Sequence, residues 1–136
     1  MMNSFELVTR LRAFLPPEAV LHETEDLRPY ECDGLSAYRQ APMIVALPQL
    51  EEEVVEILRI CHAARTPVVA RGAGTGLSGG ALPHAEGILL SLAKLRRILE
   101  VDPAARTARV QPGVRNLAIS EAAAPSLAST ESSLSA

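Results

Sequence analysis

Between Arg71 and Ala81 the chain reads RGAGTGLSGGA, a run holding five of its eight glycines: Gly72, Gly74, Gly76, Gly79 and Gly80. Such a run cannot continue as a stable helix or strand, because each interior glycine costs about 0.5–1 kcal/mol relative to alanine. Without β-carbons the backbone can take positive φ and let another molecule approach closely. Successive N–H groups can then converge into a concave nest for an anion, and the hydroxyls of Thr75 and Ser78 add donors. Arg71, at the entrance, is placed to add charge or to brace the loop. The ligand suited to this device is a phosphate or pyrophosphate. A flexible turn between strands is the competing reading, and so dense a set of glycines and hydroxyls weighs against it.

Two familiar phosphate-binding scaffolds do not fit. Gly74-x-Gly76-x-x-Gly79 matches the dinucleotide fingerprint, and Glu100 lies about 20 residues further on, where a ribose-binding acid would stand. That fingerprint must open directly into a helix, whereas here Ala81–Leu82–Pro83 leads into the apolar run Gly87–Leu92. A P-loop needs a lysine after its last glycine, and the chain's one lysine is Lys94.

The flanking pattern predicts alternating strands and helices. Met43–Leu47 is a short apolar run between Pro42 and Pro48, suited to a buried strand. A helix is expected over Gln49–Ala64, with Leu50, Val54, Ile57, Leu58, Cys61 and Ala64 at helical spacing. Glu51, Glu52 and Glu53 in its first turn and Arg59 and Arg65 towards its end match the helix dipole, a better account of the glutamates than a metal site. Val68–Ala70 begins a second strand, which a β-α-β unit makes parallel to the first. Gly87–Leu92 is expected as a strand, Ala93–Arg97 as a short helical turn and Ile98–Val101 as extended. Thr107–Gln111 alternates as a half-buried strand, Pro112–Gly113 breaks it, and Val114–Ala124 is expected to be helical. Upstream, Ser4 can cap a helix to about Leu15 with Phe5, Val8, Leu11, Phe14 and Leu15 near one face. His22–Pro42 is polar and aperiodic, with Pro29 and Gly34 as punctuation. The expected organisation is an N-terminal helix and irregular segment over 1–41, a binding domain over 42–125, and a disordered or non-native tail over 126–136.

Composition removes several function classes. The 13 Lys+Arg against 16 Asp+Glu, a net charge of −3, leave no basic excess for nucleic acid. Two Phe, two Tyr and no Trp leave few members for a base-stacking platform. The apolar runs are too short for a membrane span, and the start lacks a signal-peptide pattern, so a cytoplasmic chain is expected. Cys32 and Cys61 are too far apart for a C-x-x-C site and are expected as free packing thiols, with no metal bound. His22, His62 and His84 are expected to be solvent-exposed or packing residues, and no catalytic residue is assigned.

The run PVVARGAGTGLSGGALP (Pro67–Pro83) closely resembles the flavin-binding loop of FAD-linked oxidases of the vanillyl-alcohol oxidase, or PCMH, type. Within that superfamily the chain looks most like the FAD-linked subunit of bacterial glycolate oxidase and its D-lactate dehydrogenase relatives. PYECDGLSAYR (Pro29–Arg39), VALPQLEEEVVEILRICH (Val45–His62) and RVQPGVRNLAISEAAAP (Arg109–Pro125) support the resemblance in the same order, from about Phe5 to Pro125. The resemblance implies an α+β fold: the first subdomain of a PCMH-type FAD-binding domain, a small mixed sheet with flanking helices, the second subdomain missing. It implies FAD as cofactor, with its pyrophosphate wrapped by Arg71, Gly72, Ala73, Gly74, Thr75, Gly76, Leu77, Ser78, Gly79 and Gly80. Val69 and Ala70 at the strand end are implied contacts, as are Pro112 and Gly113, for which an ordinary strand-ending turn is an equal alternative.

The same resemblance implies a 2-hydroxy-acid substrate, glycolate or D-lactate, whose Cα hydride passes to the flavin. Its binding site would lie outside this chain, because SLASTESSLSA stands where the family continues into a second glycine motif. It also implies partner subunits, one related in sequence and one carrying iron–sulfur clusters, through which the protein would sit peripherally at the inner membrane. A non-catalytic truncated remnant and a stand-alone nucleotide-binding module are the alternatives.

Overall fold

A computed structural model describes residues 2–32, 34 and 36–134. The first helix, α1 (Ser4–Arg12), is capped by Asn3 and not by Ser4. Asn3 Oδ1 accepts from the Glu6 amide at 2.9 Å, and Glu6 Oε2 accepts in return from the Asn3 amide at 3.0 Å. This reciprocal pair needs an acid three residues after the cap, which Asn3 has and Ser4 lacks. The buried residues of α1 are Leu7, Val8 and Leu11, while Phe5, expected on that face, is 79% exposed. Phe5 and Leu7 are two positions apart, about 200° around the helix, so burying one turns the other outwards. The helix ends at Arg12, short of Leu15.

The segment expected to be irregular carries β1 (Val20–Leu21), a one-turn helix α2 (Thr24–Leu27) and a 3₁₀ turn at Arg28–Tyr30. Next come β2 (Ile44–Ala46) and α3 (Glu51–Ala64). Glu53 secures the start of α3, its Oε1 accepting from the amides of Gln49 (3.3 Å) and Leu50 (3.2 Å). The glutamate run thus serves the helix, and among the described residues no group of His, Cys, Asp and Glu could hold a metal ion. Ile57, Cys61 and Ala64 of α3 are buried, whereas Leu50 and Leu58 of the expected stripe are exposed. Arg65 closes the helix in the left-handed conformation at φ 52°.

With β3 (Val68–Arg71) and β4 (Ile88–Ser91) the sheet is complete, in the order β1-β2-β4-β3. The expected β-α-β unit forms, with β2 and β3 both parallel to β4. The two strands of that unit are not neighbours, because β4 lies between them, with Val45 and Val69 both in register with Leu89. β1 adds an antiparallel edge, so the sheet is mixed, with helices flanking it. Every residue of β2 and β4 is buried, although alternate side chains point to opposite faces, so both faces of these strands are covered. One core unites Leu7, Leu11, Ile44, Val45, Ile57, Cys61 and Leu89, and burial pushes the Cys61 thiol up to about 11.

The chain divides into two units, Met1–Lys94 and Leu95–Ala136. Within the first unit, α1 from the expected 1–41 segment contributes its apolar face to the core that contains the sheet. In the second unit, β5 (Ile98–Asp102) and β6 (Thr107–Val110) form an antiparallel hairpin, and α4 spans Asn116–Leu134. Ala93–Lys94 make a turn but no helix. α4 continues through Pro125 to Leu134, across most of the segment 126–136 expected as a disordered or non-native tail. Residues 135–136 lie outside the described residues.

Candidate functional site

The parallel arrangement sets where a ligand can sit. In open sheets of this kind, ligands bind beyond the carboxyl ends of parallel strands. Here a cleft of about 310 Å³ opens at those ends. Leu47 follows β2, Arg71, Gly72, Ala73 and Gly74 leave β3, Ser91 and Ala93 leave β4, and Pro29, Tyr30 and Cys32 supply the remaining wall.

The glycine run leaves β3 and returns to β4 without a helix, as the sequence predicts. Its two ends are tied by Arg71, which is 7% exposed and whose Nη2 donates to the Ala81 carbonyl at 2.8 Å. The Arg71 stem also fills the hollow of the loop: a β-carbon built on Gly74 would lie 3.1 Å from Arg71 Cδ. Gly74 and Gly79 have φ +71° and +75°, a conformation that strains any other residue. At Gly72, Gly76 and Gly80 an added β-carbon would meet nothing within 4 Å, so packing within the chain does not demand glycine there.

The loop's amides are also available. Among the described residues, none of the N–H groups from Gly72 to Gly80 donates to a backbone carbonyl. Ala73, Thr75, Leu77 and Ser78 are exposed and Leu77 is 72% so, leaving the run facing outwards. Amides without a described backbone acceptor, on a run where Gly72, Gly76, Gly79 and Gly80 have open space at the β position, suit a pyrophosphate group.

The structure thus brings Arg71, Gly72, Ala73 and Gly74 into the cleft and carries Thr75, Gly76, Leu77, Ser78, Gly79 and Gly80 on the same loop. Val69 and Ala70 stand on β3, half-buried and exposed. Pro112 and Gly113 belong to the second unit, where the Gly113 amide donates to the Leu95 carbonyl at 2.8 Å, as a strand-ending turn would. Tyr30 and Ser91 line the cleft without having been assigned a role from sequence, and Cys32, expected only as a packing thiol, lines it with them. Cys61 packs in the core, whereas Cys32 is half-buried at the cleft. His84 is engaged in its own turn, its Nδ1 accepting from the Glu86 amide at 3.1 Å.

Comparison with known proteins agrees with this geometry. The profile of the family described as "FAD binding domain" matches residues 42–132. The chain is 59% identical over 115 residues to glycolate oxidase subunit GlcD of Escherichia coli K12, covering 85% of this chain and 23% of that protein. It is 45% identical over 80 residues to a D-lactate dehydrogenase of Archaeoglobus fulgidus, covering 59% of this chain and 18% of that protein. The fold superimposes on p-cresol methylhydroxylase with substrate bound at a TM-score of 0.79 and 26% identity, over 93% of this chain and 25% of that one. The chain therefore spans about a quarter of the length of the relatives it matches.

Proposed function

Because the chain belongs to the FAD binding domain family, in the PCMH type of flavoprotein fold, we propose that it is the pyrophosphate-holding portion of a 2-hydroxy-acid oxidoreductase. FAD is the cofactor of this family. The observation that carries the reading is the row of amides from Gly72 to Gly80, which have no backbone acceptor among the described residues, on a loop with open space at the β positions of Gly72, Gly76, Gly79 and Gly80. Arg71, Gly72, Ala73, Gly74, Thr75, Gly76, Leu77, Ser78, Gly79 and Gly80 would hold the anion, chiefly through main-chain donors, with the Thr75 and Ser78 hydroxyls secondary. Val69 and Ala70 would touch the cofactor from the end of β3, and Pro112 and Gly113 from the turn after β6.

When bound, FAD supplies the hydride acceptor for oxidation of a CH–OH group. This chain's share is to bind and orient it. Glycolate and D-lactate are the substrates favoured by the two relatives named above. We place the groups that bind the acid's carboxylate and take its hydroxyl proton in the part of the relatives' length that this chain does not span. The likeness to a named oxidase subunit supports assembly with further subunits, one related in sequence and one carrying iron–sulfur clusters. Attachment at the inner membrane would then run through those partners, since among the described residues no helix is long and apolar enough to cross a membrane.

An absorbance scan of the chain mixed with FAD and then desalted tests the reading. Retained flavin bands are expected, and their replacement by adenine nucleotide bound without flavin would favour a stand-alone nucleotide module. Protein that retains neither flavin nor adenine absorbance would overturn cofactor binding by this chain.

A further inference from the structure

The glycine loop is contacted from outside as well as from within. Gly34, far away in sequence, lies against it so closely that an added β-carbon would sit 2.5 Å from the Thr75 carbonyl oxygen and 2.7 Å from that of Gly76. Both obstacles are backbone atoms, so no side-chain rotation could relieve the clash. Gly34 is therefore required by its contact with the loop, and no positive φ is involved.

That contact has a directional consequence. The described peptide bonds include no cis form, and in a trans unit the carbonyl oxygen and the following N–H lie on opposite sides of the chain. With the Thr75 and Gly76 oxygens on the Gly34 side, the N–H groups of Gly76 and Leu77 lie on the far side, where neither donates to a described backbone carbonyl. The stretch carrying Gly34 is itself anchored. The Gln40 amide donates to the Glu31 carbonyl at 2.7 Å, and Arg39 Nη1 pairs with Glu31 Oε1 at 3.2 Å. Pro29, Tyr30 and Cys32 of the same stretch stand at the root of the loop, along the cleft.

We propose that Gly34 is a positioning residue for the glycine loop, holding the two peptide planes after Thr75 and Gly76 so that their amides face an anion. The proposal rests on the cofactor-binding reading above for its purpose but not for its test. The amide proton and nitrogen chemical shifts of Gly76 and Leu77 in the ligand-free 136-residue chain read the two peptide planes directly. Gly34→Ala must push the Thr75–Gly76 backbone away, a shift of the overpacking kind. The Gly76 and Leu77 resonances should move, while those of α3 keep their wild-type positions. FAD affinity, followed by flavin fluorescence, should fall about tenfold.

Gln40→Pro, which removes the 2.7 Å closing bond without touching the glycine loop, should move the same two resonances. It carries the decision if Gly34→Ala costs the whole fold. Unmoved Gly76 and Leu77 resonances in a folded variant would overturn the positioning role, as would displacements spread evenly over α3. If the wild-type chain fails to retain FAD, the cofactor reading falls while the chemical shifts still decide the role of Gly34.

Discussion

Replacing Arg71 by methionine separates two meanings of an arginine beside an anion site. The guanidinium is almost completely buried, and its Nη2 is engaged with the Ala81 carbonyl at the far end of the loop. Methionine keeps an unbranched apolar stem to lie under Gly74 but loses the donor. A hydrogen bond from a charged group contributes roughly 1.5–3 kcal/mol, and relief from burying the charge returns part of that. A net loss of about 1–2 kcal/mol in holding the loop closed follows, a factor of roughly 5–30 in the population of the binding-competent loop. FAD affinity should fall by that factor in a flavin-fluorescence titration.

Ionic strength then distinguishes bracing from direct attraction. Screening shortens the reach of an exposed charge from about 10 Å at 0.1 M salt to about 3 Å at 1 M. A tie between loop ends is insensitive to this, so the ratio of wild-type to Arg71→Met affinity should be equal in both salts. A ratio that collapses towards one at high salt would mean that Arg71 acts as a phosphate counter-charge, and the bracing argument would be wrong. Unchanged affinity in both salts would be equally damaging.

Other perturbations follow from the core and the turns. Leu89→Ala, at a fully buried site in the central strand, should cost about 2–5 kcal/mol in urea unfolding. Gly87→Ala would place a β-carbon 2.7 Å from the Pro67 carbonyl oxygen, and calorimetry should show a loss of about 1–3 kcal/mol. Burial raises the Cys61 thiol above its ordinary value of 9.0, to about 11. The unfolded chain therefore loses its proton first, and stability present below pH 9.0 should fall as the pH rises towards 11, a slope that Cys61→Ala abolishes. Iodoacetamide at neutral pH should modify Cys32 before Cys61, and bound FAD should slow the reaction at Cys32, which lines the cleft.

The parts legible in the sequence are those that local pattern determines. The apolar run between two prolines gives β2, the helical spacing of Ile57, Cys61 and Ala64 gives α3, and the glycine run gives a helix-free loop. The family resemblance added what no pattern carries, the mixed sheet and the cofactor. What local pattern could not give was spatial order. Nothing in GILLSL says that it lies between two strands already joined by a helix, because that depends on which sheet edge is better covered. The cleft wall at Tyr30 and Cys32 and the contact at Gly34 were equally hidden, since aperiodic segments are held by long-range contacts with no repeat to betray them. At α1 the competition between Phe5 and Leu7 for one face was settled by the rest of the core. Beyond Pro125 local pattern gave no helix signal, since Ser126, Ser129, Thr130, Ser132 and Ser133 are weaker helix formers than alanine or leucine, yet α4 runs on to Leu134.

The central position of β4 also fixes an order of events during folding. β2 and β3 share no ladder, and the one strand that both of them meet is β4, the last of this sheet's four strands along the chain. A growing polypeptide that has reached Arg71 can therefore pair β1 with β2, but its β3 has no partner in the sheet. The three-stranded parallel core can close only after Ile88–Ser91 has been made and the whole glycine run has looped back. Closure of that run is an entropic barrier every molecule must cross, and parallel pairing of this kind is intrinsically slow. Whatever orders the loop lowers the barrier, so the segment built to receive a ligand is also the segment whose ordering admits the sheet.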